Sequence, residues 1–228
     1  MGAVANAELS LRALRGLGAG TATFGVLRNA EYYLLADLAQ TFHESHPGVL
    51  IRLVGQNSVE VAAAVSVGEL EAGLVVLPID ADGLDVHPLI HDEVLVATSD
   101  PERLGGAVTI DDLSREDLIL YDAHYGWNDP TRRQLAERAQ RAGVVLTPII
   151  EVEHVTSALR LVALGLGSTI VSRAVASAAD FPPGVGTVPF AEPLFDTIAS
   201  ITRSAGTVSP ATQRILHLAE QMLRVRTP

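Results

Sequence analysis

The chain has 228 residues, a formal net charge of −11, no cysteine and 48% apolar residues. That length suits one large domain or two small ones. Without cysteine there can be no disulfide, thiolate nucleophile or Cys-ligated metal. The acidic balance argues against these residues holding nucleic acid by themselves, since phosphate contacts need clustered Lys and Arg.

No apolar run is long enough to span a membrane. Met1–Glu8 lacks the basic start and apolar core of a secretion signal. The expected location is the cytoplasm. Residues Ala5 to Leu17 carry Leu9, Leu11, Leu14 and Leu17, a short amphipathic helix that would bury too little alone. From Gly20 the pattern reads strand (Gly20–Leu27), helix (Glu31–His46), strand (Val49–Val54), helix (Val59–Val67) and strand (Leu74–Leu77). Strands alternating with helices predict a parallel sheet. Such sheets bind ligands at the carboxyl ends of their strands. Two polar turns, Arg28-Asn29 and Gln56-Asn57-Ser58, fall at those ends. In the first helix Tyr32, Leu35, Ala39 and Phe42 share a core face, and Tyr33 and Leu34 are expected on other, exposed faces. His46-Pro47-Gly48 stops it.

Further along, His87–Ile90 and Glu93–Thr98 read as a short and a longer strand. A second α/β unit follows. It comprises a helical turn at Thr109–Leu113, a strand at Leu118–Tyr121, and a polar, aromatic loop from Asp122 to Asn128. A helix follows, capped by Asp129 with Pro130 at its first position and ending at Gly143. Then come a strand at Thr147–Val152, a helix at Val155–Leu164, a strand at Ser168–Val171 and the turn Ser172-Arg173. Strands at Val185–Val188 and Leu194–Thr202 precede a final helix capped at Ser209-Pro210. That helix presents Ile215, Leu216, Ala219, Met222 and Leu223 on one face.

Three stretches in this order carry a family resemblance: Phe42-His-Glu-Ser-His-Pro47 before a strand, Gly68-Glu-Leu-Glu-Ala-Gly73 leading into Leu74-Val-Val, and Leu159-Arg-Leu-Val-Ala-Leu-Gly-Leu-Gly167 before Thr169-Ile-Val-Ser-Arg173. With them the chain resembles the effector-binding domain of LysR-type transcriptional regulators over roughly Gly20 to Arg224. The resemblance implies an α/β fold of two Rossmann-like lobes with a cleft between them, like type 2 periplasmic binding proteins. It places the end of a linker helix at 1–19, lobe I at 20–98 and 199–228, and lobe II at 99–198. It also implies dimers or tetramers, with the helices Glu31–His46 and Asp129–Ala142 at the contact. DNA would be met only through a helix-turn-helix domain that these residues do not contain.

The same resemblance puts the effector against the turns at the strand ends. These are Leu27, Arg28 and Asn29, then Gln56, Asn57 and Ser58, in lobe I. In lobe II they are Tyr121, His124, Tyr125, His154, Val155 and Ser172. Arg28 suits an organic acid, because a guanidinium pairs with carboxylate and helix-start N–H groups favour anions; as a bare sequence feature it is equally a solvated surface Arg. One of Gln56, Asn57 and Ser58 must cap a helix, and a cap can also touch ligand. His124 and Tyr125 would suit a planar effector, whereas Trp127 reads as an anchor of its own loop. His154, standing alone, is more often structural.

No cofactor or metal is expected. His43 and His46 end a helix without a third ligand, and His87 and His91 flank Pro88. Gly16-Leu-Gly-Ala-Gly20 precedes a strand instead of following it, so it is no dinucleotide fingerprint. No nucleophile elbow appears, and Asp111-Asp112 reads as a cap on a solvated surface. The expected function is therefore ligand sensing without catalysis. The alternative is a solute-binding protein of a transport system, which shares the two-lobed architecture.

Overall fold

The computed structural model describes residues 20–226; the helix expected at Ala5–Leu17 lies outside the described residues. In chain order the elements are β1 (Gly20–Leu27), a 3-10 turn (Ala30–Tyr32), α1 (Leu35–Ser45), β2 (Val49–Gln56), α2 (Ser58–Val67), β3 (Ala72–Leu77) and β4 (Leu84–Thr98). Next are a 3-10 turn (Pro101–Gly105), α3 (Ile110–Leu113), β5 (Leu118–Leu120), a 3-10 turn (Gly126–Asn128), α4 (Pro130–Ala142) and β6 (Pro148–Glu151). The chain ends with α5 (Val155–Ala163), β7 (Thr169–Ser172), α6 (Arg173–Ala176), β8 (Gly186–Arg203) and α7 (Pro210–Arg226). Hydrogen-bonded strand neighbours run β2-β1-β3-β8-β4-β7, with β5 and β6 paired separately.

The residues pack as two compact units. Of the described residues the first takes 20–75, 79–90 and 198–226, and the second takes 76–78 and 91–197. In the first unit β1 runs parallel to β2 along its whole length, from Gly20 opposite Val49 to Leu27 opposite Gln56. On its other side it pairs with β3 at Phe24–Ala72 and Gly25–Gly73. From Phe24 to Leu27 every residue of β1 is buried, as a central parallel strand covered on both faces requires. Helices α2 and α7 pack on β1, and α1 packs on α7. The buried face of α7 is Ala211, Ile215, Ala219 and Leu223.

The second unit has its own core. Val94, Val96, Leu113, Leu118, Leu120, Leu135 and Ile170 form its centre, and Ile119, Ala158 and Val162 join α5 to the sheet. Strand β5 is parallel to β6. An isolated parallel bridge from Leu118 to Ser168 sets β5 beside the start of β7, and β7 is antiparallel to β4.

Three expectations need correction. The helix expected at Glu31–His46 is a 3-10 turn followed by α1 from Leu35, because Leu34 leaves helical geometry (φ −160°, ψ −4°). That break turns Tyr33 and Leu34 inward, to 6% and 2% exposure, so they are core residues and not surface ones. Burial of two large side chains outweighs the lost helical continuity. The strands expected at His87–Ile90 and Glu93–Thr98 are one strand, β4, in which Pro88 is exposed and does not end the pairing. Likewise Val185–Val188 and Leu194–Thr202 belong to the single strand β8. The helix stops expected at Gly68 and Gly143 are left-handed C-caps (φ 80° and 73°).

The closest approach of helix to sheet in the first unit is set by a glycine pair. A Cβ on Gly25 would meet Val61 Cγ1 at 2.6 Å and Leu70 Cδ1 at 2.9 Å. One on Gly73 would meet the same Val61 Cγ1 at 2.6 Å. Gly25 and Gly73 face each other across β1 and β3, so together they form the slot that seats Val61. Replacing Gly73 with Ala should cost about 1–3 kcal/mol, the range for overpacking. In urea unfolding the G25A/G73A double variant should cost less than the sum of its parts, because both act on Val61. Val61→Ala should recover part of the loss in the Gly73→Ala background.

Candidate functional site

In the first unit the register of β1 and β2 decides the geometry. Leu27 lies opposite Gln56, so the chain leaves both strands at the same level, about 5 Å apart. Arg28 and Asn29 follow one strand end, and Asn57 and Ser58 follow the other. Leu27, Asn57 and Ser58 are buried; Arg28, Asn29 and Gln56 are half-buried. The cap at the second turn is Asn57, whose side chain accepts from Val59 N at 3.0 Å. No side chain caps the 3-10 turn that begins at Ala30. Within it Tyr32 N donates to Asn29 O at 3.1 Å. The structure thus brings all the sequence-predicted residues of this unit to one edge of the sheet.

The second unit repeats the device with different chemistry. Tyr121 follows β5, and Asp122 takes a left-handed turn (φ 61°). The loop is laced to the end of β6: Ala123 N donates to Val152 O at 3.0 Å, Asp122 N to Glu153 O at 3.3 Å, and His124 N to Glu153 Oε2 at 3.1 Å. His124 and Tyr125 meet edge to face, 5.0 Å between ring centroids. His154 opens α5 without a side-chain cap, and Val155 is buried beneath it. Ser172 ends β7 and caps α6, accepting from Val175 N at 3.3 Å. Since β6, β5 and the start of β7 run parallel, Tyr121–Tyr125, His154–Val155 and Ser172 all emerge at the carboxyl ends of their strands. His124 and His154 are exposed, Tyr121 and Tyr125 half-buried, and Ser172 buried.

Sequence reasoning missed what holds this second set of turns. Arg132, in the first turn of α4, is only 2% exposed. Its guanidinium donates to Tyr121 O at 3.2 Å, pairs with Glu151 on β6, and lies 4.8 Å from the centre of the Trp127 ring. Arg132 therefore ties the loop from 121 to 127 to α4 and β6 at once. Between Thr131 and Arg133 it reads in sequence as one more solvated basic residue, and no local pattern distinguishes it.

A buried acid was missed for the same reason. Asp196 on β8 accepts from Thr131 Oγ1 at 2.8 Å and Gln134 Nε2 at 3.0 Å. Burial, and then the carboxylates of Asp129 and Asp92, push it from 3.8 up to about 7, although both hydrogen bonds work the other way. The Tyr121 phenol is raised well above its usual range by burial and by the charges of Asp196, Asp122, Asp129 and Asp92. Among the described residues no three His, Asp or Glu side chains come together to hold a metal.

The folded chain binds the Asp196 proton more tightly than the unfolded chain does. The stability this group contributes is complete below about 3.8 and is lost as pH rises through about 7. Its full size is at most about 4 kcal/mol. Unfolding free energy measured from pH 5 to 8.5 should fall less steeply in Asp196→Asn than in the parent, and the variant should be the more stable of the two above pH 7.5. Parallel curves would show that Asp196 does not carry the dependence.

Residues 15–224 match the family described as the LysR substrate binding domain. The chain is 26% identical over 208 residues to the probable HTH-type transcriptional regulator LrrA of Synechococcus elongatus, covering 91% of this chain and 68% of LrrA. It is 23% identical over 212 residues to YbhD of Escherichia coli, an HTH-type transcriptional regulator, covering 92% of this chain and 65% of YbhD. The chain thus spans about two thirds of the length of these relatives. Among solved structures it resembles the BenM effector-binding domain with its effector benzoate (TM-score 0.74, 22% identity, 91% of this chain and 93% of that one). It also resembles the CcmR regulatory domain of Synechocystis PCC6803 in complex with 2-PG (TM-score 0.79, 17% identity, 91% and 99%). The fold is that of LysR effector-binding domains, with the type 2 periplasmic-binding-protein-like architecture, and the match over nearly the whole chain shows that it belongs to the LysR substrate-binding domain family.

Proposed function

We propose that this chain senses a small organic acid for a LysR-type regulator and does so as a dimer, without catalysis. The observation that carries the reading is the register that sets Arg28 beside the uncapped 3-10 turn at Ala30 and level with the Asn57-Ser58 turn. The Arg28 guanidinium offers charge-assisted hydrogen bonds to a carboxylate. In the second unit His124, Tyr125 and the uncapped start of α5 at His154 present aromatic and polar groups at the strand ends. Benzoate in BenM and 2-PG in CcmR are ligands of similar domains, which favours an anion here as well.

An effector changes a regulator only if it binds one arrangement better than another. In the intact protein that preference would bias how helix-turn-helix domains meet DNA, as the relatives' descriptions suggest. No helix among the described residues is long and apolar enough to cross a membrane. For the dimer, the contact is assigned to the outer faces of α1 and α4. Tyr33 and Leu34 take no part, being buried within the chain.

Thermal denaturation against a panel of aromatic, aliphatic and amino carboxylates tests the effector. An acid at about 100 times its dissociation constant should stabilise the chain by about 2.7 kcal/mol, a rise of several degrees. Arg28→Ala should weaken that acid by about tenfold or more. Stabilisation only by neutral compounds would replace the organic acid with a neutral effector. Light scattering checks the dimer: a mass equal to one chain at micromolar concentration would remove that part of the reading.

A further inference from the structure

A pocket of about 260 Å³ lies within the first unit, between the carboxyl-terminal half of α1 and the middle of α7. Thr41, Phe42, Ser45 and His46 line one side; Arg214, His217, Leu218 and Gln221 line the other. It is separate from the strand-end turns, since none of its lining residues belongs to them. Two properties of the lining point to a ligand.

The first is charge. The chain carries 27 acidic against 16 basic residues, yet this pocket holds Arg214, His46 and His217 and no carboxylate. Arg214 is exposed and its side chain makes no hydrogen bond or ion pair with any described residue, so its guanidinium keeps its full set of donors at the pocket lining. Arg214 and His217 are three residues apart on α7, hence on one helical face.

The second is the state of the two imidazoles. His217 Nε2 lies 2.9 Å from Gln221 Nε2, which leaves the Nδ1 edge of the His217 ring without a partner among the described residues. His46 stacks on Phe42, 4.7 Å between centroids and 26° between planes, and its Nδ1 is shielded from solvent without a hydrogen-bond partner. A buried polar atom left in that condition costs free energy unless something pairs with it. Phe42 and Leu218 supply the apolar wall.

We infer that this pocket is a second binding site, distinct from the strand-end turns, for a small carboxylate with an apolar body. The carboxylate is held by Arg214 and His217, and its body lies against Phe42 and Leu218 beside His46. The last turn of α1 presents carbonyl groups there and not N–H groups, so the anion sits on the α7 side. The inference does not depend on the effector reading, because it rests on other residues.

Imidazole resonances of the full chain, followed by two-dimensional NMR during titration with sodium benzoate, test it. His46 and His217 should shift saturably, while His43, exposed on the same helix, should not. Arg214→Ala, an exposed change to a better helix former, should weaken the shifts at least fivefold, and Arg28→Ala should leave them as they are. Inorganic phosphate should neither reproduce nor compete with the shifts. The inference is overturned if the shifts never saturate, if Arg214→Ala leaves them intact, or if phosphate matches benzoate, since that is general attraction of anions.

Discussion

The parallel register of β1 against β2 is the constraint on which the first unit's chemistry depends. Side-chain direction alternates along a strand, so a slip of one residue would send each side chain of β1 to the opposite, differently packed face and separate the levels of the two strand ends. Eight consecutive pairs, from Gly20–Val49 to Leu27–Gln56, hold that register. The Gly25–Gly73 slot adds a second constraint, because α2 can sit against the sheet only where both residues lack a side chain. The start of α2, with Asn57 as its cap, is then fixed relative to Arg28 by the packing of Val61 two strands away. Binding residues on turns are thus positioned by core residues that never approach a ligand.

In the second unit a buried charge plays the corresponding part. Removing a guanidinium from water is expensive, and pairing recovers that cost only if the remaining donors are used. Arg132 uses Nη1 on Tyr121 O and Asp122 O, Nη2 on Glu151 and its face on Trp127, while its Nε stays buried without a partner. Such a network contributes less net stability than its contacts suggest, but it fixes the loop in one arrangement. That arrangement presents His124 and Tyr125 together, whose T-shaped contact would be lost if the loop turned over.

The pattern of elements was legible because it is local. Periodicity and caps placed β1, α2, α4 and α7 within a residue or two, and Asp129-Pro130 and Ser209-Pro210 sit at helix starts as their chemistry requires. Failures occurred where distant partners decide. The helix break at Leu34 has no glycine or proline to announce it; it exists because Tyr33 and Leu34 find a core. The short runs on either side of Pro88, and on either side of Ala191–Pro193, looked like separate strands because those residues usually break pairing. The turns of the candidate site could be located from strand ends alone. The groups that hold them, Arg132 and Asp196, could not be, since their burial comes from contacts 19 and 65 residues away along the chain with Glu151 and Thr131.

The position of Asp196 gives these buried groups a common logic. It lies on β8 just before that strand passes from the second unit into the first, and Asp92 lies on β4 just after the reverse passage. Asp196 is tied to α4 through Thr131 and Gln134, and Asp92 Oδ2 accepts from Ala174 N at 3.4 Å, at the start of α6. Each long strand is therefore fastened to a helix of the second unit beside its point of passage. Burial, with the carboxylates of Asp129 and Asp92, favours the protonated form of Asp196. The hydrogen bonds from Thr131 and Gln134 favour the ionised acid while burial favours the neutral one, so the fastening of β8 to α4 and the desolvation of Asp196 pull its proton in opposite directions.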